Sequence, residues 1–228
     1  TFHGAAFNFD NFWDGRARFD FNGGSVFGPS DPQSHIFIEA DGLTAANNGH
    51  FRPELVSTDP DLADQPLRIK FSSLASQAVG PPLSEFEMSF LGRSWPKIGK
   101  KLLQDSVVPL ANQLVDPDDS VLGPYSGQRS TVGGPVDMPG RPGLNTSYPD
   151  LIQAAFIPNL WSNASEHLAG TTVPRTLQPP LGDPFDGYQL AIAAGPATPV
   201  DTNQFTQMEA NFSLFFALAV QSYEELTI

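Results

Sequence analysis

Apolar residues recur at helical spacing near the carboxyl-terminal end of the chain. They lie three, four or seven positions apart, which places them on one face of an α-helix. The residues on this face are Phe205, Met208, Phe212, Phe215, Ala219 and Leu226. We therefore predict a buried amphipathic helix here, capped at its start by Asp201, Thr202 or Asn203.

Other segments carry shorter apolar patterns, some with helical and some with strand-like spacing. Ser94 is well placed to cap one of these helices, which ends among lysines that suit a helix carboxyl terminus. The predicted elements are helices at 94–103, 107–114 and 148–156, a strand-like entry into a short helix at 67–79, and a short strand at 36–39.

Long irregular stretches separate these elements. The chain contains 20 glycines and 22 prolines, which interrupt regular structure, and the proline-rich residues 170–200 are expected to be irregular throughout. The predicted fold is therefore mainly α, with helices joined by long irregular Gly/Pro-rich loops and little β structure. Loops of this length make sense if they wrap a cofactor or another polypeptide segment.

The charge and the absence of cysteine exclude several classes of function. The formal net charge is −13, which argues against nucleic acid, because phosphate binding needs clustered Lys and Arg. No apolar run reaches the roughly 18 residues of a membrane span. With no cysteine, the chain cannot form disulfides or attach a c-type haem covalently by itself.

Three motifs occur in an order that resembles one family. They are Asn11-Phe-Trp-Asp-Gly-Arg-Ala17, Ser76-Gln-Ala-Val-Gly-Pro-Pro-Leu-Ser-Glu-Phe-Glu-Met88, and the tail Gln207-Met-Glu-Ala-Asn-Phe-Ser-Leu-Phe-Phe-Ala-Leu-Ala-Val-Gln221. Together they resemble the di-haem cytochrome c peroxidase and MauG-like superfamily. The chain resembles the region between the two haem-attachment motifs of that family. We treat 1–228 as one such region, with a Trp-bearing segment and loop at 1–66 and a distal-pocket segment and helices at 67–228.

The resemblance implies a redox function that this chain performs with others. Both C-x-x-C-H motifs would lie on other polypeptide segments or subunits, which would carry the haem c groups. The implied activity is reduction of hydrogen peroxide, or MauG-like oxidation through a high-valent iron, with electron transfer between the haems. The family also implies an electron-donor protein, a periplasmic or extracellular location, and in many members a calcium ion.

Trp13 is the residue that the resemblance places between the two haems as an electron relay. An indole suits this role because its π system is polarisable, and the alternative is a core tryptophan clustered with Phe9 and Phe12. Arg16 fits either a haem propionate or an internal ion pair with Asp14, of which the ion pair is favoured.

Gln77 and Glu87 are the candidate catalytic pair. The resemblance places them on the distal side of the peroxidatic haem, with Met88 beside them as a cofactor contact. Cleaving peroxide needs a group that takes a proton from one oxygen and delivers it to the other, which a carboxylate can do. We expect Phe86 and Phe90 to wall the carboxylate and raise its pKa. Glu85 is the near competitor, and both glutamates can instead be ordinary loop residues.

No metal site is evident from the sequence. The four histidines show no metal-ligand spacing, and we predict packing or surface roles for them. They are His3, His35, His50 and His167. The acidic runs 59–61 and 116–119 lack the pattern of a calcium-binding loop, so no calcium ligands can be assigned.

Two functions remain open at this point. One is a peroxidase-type oxidoreductase whose haems are held by neighbouring polypeptide. The other is a haem-free structural or binding subunit of a larger extracytoplasmic assembly. Retention of Trp13, Gln77 and Glu87 in the family's order favours the first, and the absence of cysteine favours the second.

Overall fold

The computed structural model describes residues 4–31, 34, 36–39, 62–65, 67–90, 92–104, 110, 114–127, 143–172 and 188–227. The chain forms two compact units. One unit comprises Thr1–Gly99 together with Pro158–Ile228, and the other comprises Lys100–Ile157.

The described residues form five α-helices, of which the last is the longest, with 16 residues. They are α1 (Ser73–Ala78), α2 (Trp95–Leu102), α3 (Tyr148–Ala155), α4 (Gln207–Ala210) and α5 (Phe212–Thr227). None of them has both the length and the apolar character needed to cross a membrane. Single 3₁₀ turns, such as Ala5–Phe7 and Pro81–Leu83, connect some of the loops.

Five strands form two antiparallel sheets in the part of the chain that the structure describes. They are β1 (Ile36–Glu39), β2 (Leu62–Gln65), β3 (Glu166–Thr172), β4 (Tyr188–Ala194) and β5 (Gln204–Phe205). One sheet pairs β1 with β2, and the other has the order β4-β3-β5. In the second sheet Leu168 lies opposite Ile192 on one side and Phe205 on the other.

The predicted mainly α fold is wrong, because the chain has a mixed α/β fold. The error comes chiefly from residues 170–200, whose prolines we took to prevent regular structure. The prolines lie outside β4, and within it Leu190 and Ile192 alternate with small residues, as a half-buried strand requires. Pairing along the whole of β3 then stabilises a strand that has little signal of its own.

The predicted tail helix is confirmed, with a different start. Thr206 caps α4 by accepting a hydrogen bond from the Glu209 backbone N–H, and the Glu209 carboxylate accepts one from the Thr206 N–H. The predicted caps at 201–203 are therefore wrong. The predicted stripe is buried at Phe212 and Phe215 of α5 and at Phe205, which belongs to β5 and not to the helix. Met208 is half-buried, Ala219 is exposed and Leu226 is 87% exposed, so the stripe is not confirmed at these positions.

The structure also tests the shorter predicted elements. The helices at 94–103 and 148–156 are confirmed as α2 and α3, and a Ser147–Asp150 capping box begins α3. The strand at 36–39 is confirmed as β1. At 67–79, a β-bridge between Ile69 and Phe21 precedes α1, as predicted. The helix predicted at 107–114 lies almost entirely outside the described residues.

Candidate functional site

The first motif forms a closed surface loop. Asn11 and Ala17 pair as an antiparallel bridge, with Asn11 N donating to Ala17 O at 2.8 Å and Ala17 N donating to Asn11 O at 3.3 Å. The Asn11 side chain donates to Ala5 O at 3.0 Å, which anchors the base of the loop. Inside the loop, Gly15 N donates to Phe12 O at 3.1 Å and closes a turn.

This loop presents Trp13 to solvent. The Trp13 side chain is 95% exposed, so it is not the core tryptophan of the alternative interpretation. Trp95, by contrast, is buried. Exposure of a large indole on a hydrogen-bonded loop leaves one whole aromatic face available to another molecule.

Arg16 makes the ion pair that the sequence favoured. Its Nη1 lies 3.1 Å from Asp14 Oδ2, and its guanidinium carbon lies 4.4 Å from the centre of the Phe12 ring. Both partners are partly exposed, so the pair contributes little to stability. These contacts fix the conformation of the loop beside Trp13.

The second motif packs directly against the first. Helix α1, which carries Gln77, donates two side-chain hydrogen bonds to the Trp-bearing segment. Ser76 Oγ donates to Arg18 O at 2.7 Å, and Ser73 Oγ donates to Asn8 O at 2.7 Å. Ser76 begins the second motif and Arg18 directly follows the first, so the structure brings the two motifs close together although these residues are 58 positions apart.

The tail motif completes this arrangement. Gln221 on α5 accepts a hydrogen bond from Ala75 N at 3.2 Å and donates one to Phe71 O at 2.9 Å, so it holds the start of α1. Glu224, one turn later, accepts a hydrogen bond from Ala6 N at 3.2 Å. All three motifs thus meet around α1.

Trp95 secures the other end of α1. Its indole N–H donates to Val79 O at 3.2 Å, and Val79 lies two positions after Gln77. The ring packs against Phe212 and Phe216 of α5, with centroid distances of 6.3 and 5.3 Å. The sequence did not single out Trp95, because its role depends on a backbone carbonyl that lies 16 residues away.

Of the candidate catalytic residues, Glu87 lies on an exposed turn and Gln77 lies on α1. Residues 84–90 fold back on Ser84, whose carbonyl accepts hydrogen bonds from Glu87 N at 3.2 Å and Ser89 N at 3.0 Å. The side chains of Glu85 and Glu87 are exposed, and Gln77 is half-buried. The structure shows no hydrogen bond between Gln77 and Glu87 within the described residues.

The expected apolar walls around Glu87 are absent from the described part of the chain. Phe86 is 91% exposed and Phe90 59% exposed, so neither covers the carboxylate, and that expectation is wrong. Met88 is also largely exposed. The Glu87 carboxylate is therefore open to solvent in the described part of the chain.

No group of three or more His, Cys, Asp or Glu side chains that could hold a metal ion occurs in the described residues. His167 is buried, and its Nδ1 lies 2.8 Å from Gly195 O. His3, His35, His50 and the acidic run 59–61 lie outside the described residues. In the run 116–119, Asp119 caps its own turn, and hydrogen bonds from Leu122 N and Val121 N lower the pKa of its carboxyl group.

Sequence reasoning missed an aromatic face near the first motif. We use this name for Phe9, Phe19 and Phe71. The Phe9 and Phe19 rings stack at 4.4 Å, and the Phe71 ring meets Phe19 edge-on at 4.7 Å. Phe9 and Phe71 are each about two-thirds exposed, at 68% and 71%. The many phenylalanines in residues 1–21 could have indicated an aromatic cluster. That Phe71 joins this cluster could be seen only in the folded structure.

These residues suit a place beside a haem better than a role as its axial ligand. A haem presents a flat apolar ring and two carboxylates, which match exposed aromatic rings and arginines. Trp13, Phe71 and Arg16 supply such groups. The one histidine in the described residues, His167, is instead buried against a backbone carbonyl.

Comparison of this chain with known proteins found no matching family model, no similar curated protein and no similar solved structure.

Proposed function

We propose that this chain is part of a di-haem peroxidase-type oxidoreductase, with both haem c groups anchored by other polypeptide. One observation carries the proposal. The three motifs, scattered over more than 200 positions, meet around α1 through buried and partly buried hydrogen bonds, while the side chains of Trp13 and Glu87 are exposed. Hydrogen bonds hold the backbone around the motifs, while these two side chains remain exposed. This arrangement suits a partner that covers the exposed side chains.

Each residue has a separate task in this proposal. A haem held by a partner would supply the iron that gives electrons to hydrogen peroxide. The Glu87 carboxylate takes a proton from one peroxide oxygen and returns it to the other, and the Gln77 amide orients the peroxide by hydrogen bonding. Trp13 provides an oxidisable π system between the two haem-bearing partners, and the Asp14–Arg16 pair holds its loop. Met88 lies at the edge of the same turn and would contact the cofactor.

The chain would act together with partner proteins outside the cytoplasm. Its partners are polypeptide segments or subunits with C-x-x-C-H motifs and an electron-donor protein, in the periplasm or outside the cell. A partner that covers the turn would also close the exposed Glu87 carboxylate off from bulk water.

A haem-free structural or binding subunit is the second candidate. The exposed apolar side chains Trp13, Phe86 and Met88, all above 70% exposure, also favour docking onto a protein that carries no cofactor. The two candidates differ in whether the assembled protein contains haem. An assembly isolated through this chain that lacks a haem absorption band would favour the second.

The deciding experiment compares Glu87 with Glu85, which lies two positions earlier on the same turn, in the haem-bearing assembly. Glu87→Gln should leave the haem spectrum unchanged and lower peroxide turnover by roughly 10²–10⁴-fold, the usual worth of a positioned acid–base group. Glu85→Gln, on the same exposed turn, is the matched control and should keep normal turnover. Full turnover in Glu87→Gln would remove the assignment, and loss in Glu85→Gln alone would transfer the role to that residue.

Trp13→Phe tests the electron relay separately. This variant should slow electron transfer between the haems while the first reaction with peroxide keeps its rate, because phenylalanine is much harder to oxidise than an indole. Rapid-mixing absorbance measurements would resolve the two steps. An unchanged transfer rate would exclude Trp13 from the path.

A further inference from the structure

Strand β4 forms one edge of the three-stranded sheet. In the order β4-β3-β5 it pairs with β3 alone, and the described residues provide no second strand beside it. The opposite edge is much shorter, because β5 has only two residues. β4 has seven, Tyr188–Ala194, which is long enough to pair with a further strand.

The hydrogen-bond pattern shows which groups of β4 point away from β3. Gly195 N donates to Ser165 O at 2.9 Å, so residue 195 bonds towards β3, and the direction alternates along the strand before it. The far side of β3 agrees, because Gly170, which lies opposite Leu190, donates instead to Asn203 O at 2.6 Å. The residues whose backbone N–H and C=O groups point outward are therefore Tyr188, Leu190, Ile192 and Ala194.

β4 lacks the features that usually protect an open edge. Charged side chains, prolines and bulges keep most edge strands from pairing with other chains. The sequence Tyr-Gln-Leu-Ala-Ile-Ala-Ala has no charge and no proline, and its pairing with β3 has no bulge. The shorter strands β1 and β2 each carry an acid, Glu39 and Asp64. Among the described residues, the outward backbone groups of β4 have no hydrogen-bond partner.

A small hydrophobic core also extends to this edge. Leu168 and Phe205 are fully buried in it, whereas Leu190 and Ile192 of β4 pack against it and stay half-buried. On the other face of the strand, Ala191 is exposed. A further strand beside β4 would therefore cover apolar surface and satisfy the outward backbone groups at the same time.

We propose that β4 pairs antiparallel with β4 of a second copy of this chain, with a two-fold axis at Ala191. This register matches all four outward residues with each other, and it places Leu190 opposite the partner's Ile192. The edge is thus complementary to itself. Two chains of net charge −13 repel each other, which favours contact through an uncharged segment. The inference does not depend on the proposed function.

An introduced cysteine tests the register, because the natural chain contains none. At the axis, Ala191 lies opposite the partner's Ala191 in a pair without hydrogen bonds, where Cα atoms are about 4.5 Å apart. This distance is within the range of a disulfide. Ala191→Cys should therefore form a covalent dimer under mild oxidation, detected by a non-reducing gel and by intact mass.

Ala193→Cys is the matched control. Ala193 lies on the same strand and the same face, but the proposed register places it opposite the partner's Gln189. The two copies of residue 193 are then four positions out of line, or about 13 Å, too far for a disulfide. Cross-linking of both variants to the same extent would indicate random collision and would overturn the proposal, as would cross-linking of Ala193→Cys alone.

Sedimentation equilibrium measures the association without a cross-link. The wild-type 228-residue chain should show a reversible monomer–dimer equilibrium. Ala194→Pro removes an outward N–H, a change that an edge strand tolerates, and by symmetry it deletes two hydrogen bonds between the copies. Dimerisation should weaken roughly 10-fold or more. Far-ultraviolet circular dichroism checks that each variant remains folded.

Two results of this measurement would refute the inference. One is a wild-type chain that stays monomeric at every concentration, which is expected if the edge pairs with a different protein or with none. The other is a folded Ala194→Pro variant that dimerises as tightly as the wild type. Neither result bears on the proposed function, which is judged by the turnover of Glu87→Gln.

Discussion

Replacing Asn211 with alanine should destabilise the larger unit more than almost any other single polar substitution. Asn211 is fully buried between α4 and α5. Its Oδ1 accepts from Phe37 N at 3.0 Å, and its Nδ2 donates to Phe37 O at 2.7 Å and to Leu160 O at 2.8 Å. One side chain thus joins β1 and the turn at Pro158–Leu160 to the tail.

The magnitude follows from the groups that the substitution leaves without partners. The Phe37 carbonyl keeps its hydrogen bond from Gln207 Nε2 at 2.9 Å, whereas the Phe37 N–H and the Leu160 carbonyl lose theirs. A buried polar group without a partner costs about 1–3 kcal/mol, so two such groups cost about 2–6 kcal/mol. That is a large part of the 5–15 kcal/mol by which a typical domain is stable.

Urea unfolding followed by tryptophan fluorescence measures this loss. All three tryptophans, Trp13, Trp95 and Trp161, belong to the unit of Thr1–Gly99 and Pro158–Ile228, so the signal reports that unit. Linear extrapolation then gives the free energy of unfolding for each variant.

Asn8→Ala is the matched control. Asn8 is exposed, and its side chain makes one hydrogen bond, to Asn11 Oδ1 at 3.0 Å. Its removal should cost less than about 1 kcal/mol. If Asn211→Ala loses no more free energy than Asn8→Ala, water or a backbone shift satisfies the exposed groups and the reasoning is refuted.

Three further predictions concern packing and titration. Phe212→Ala should cost about 3–5 kcal/mol in the same urea assay, because a buried ring against Trp95 is removed, and a loss below about 1 kcal/mol would contradict its place in the core. Gly99→Ala should be destabilising by about 1–3 kcal/mol despite alanine's higher helix propensity, since its Cβ would lie 2.5 Å from Glu209 O; a more stable variant in thermal unfolding would contradict this contact. Burial raises the pKa of the Tyr148 hydroxyl above its ordinary value of 10.0. Its contribution to stability is therefore complete below pH 10 and is lost as the pH rises through the raised pKa. Tyr148→Phe should remove the last phase of an ultraviolet tyrosine titration, and an unchanged last phase would contradict the shift.

Much of the candidate site depends on contacts that a sequence pattern does not contain. The motif residues Trp13, Gln77 and Glu87 could be named from their neighbours in the chain. The exposure of these side chains could not be predicted from the sequence, because it depends on which residues the rest of the fold covers. The aromatic face was missed for the same reason, since Phe19 and Phe71 are 52 positions apart and meet through the Phe21–Ile69 bridge and the hydrogen bond from Ser72 N to Phe19 O.

Local patterns by themselves determined the helices. Apolar spacing located α3 and α5, because a helix closes its hydrogen bonds within four residues and its buried face repeats every 3.6. The cap residue Ser94 and the lysines near the end of the helix located α2. The strands β3 and β4 were decided by tertiary structure, because their hydrogen bonds join segments about twenty residues apart and the pairing outweighs weak local propensity. Buried amides such as Asn211 look like ordinary helix residues in the sequence, and only folding brings Phe37 within reach, 174 positions away.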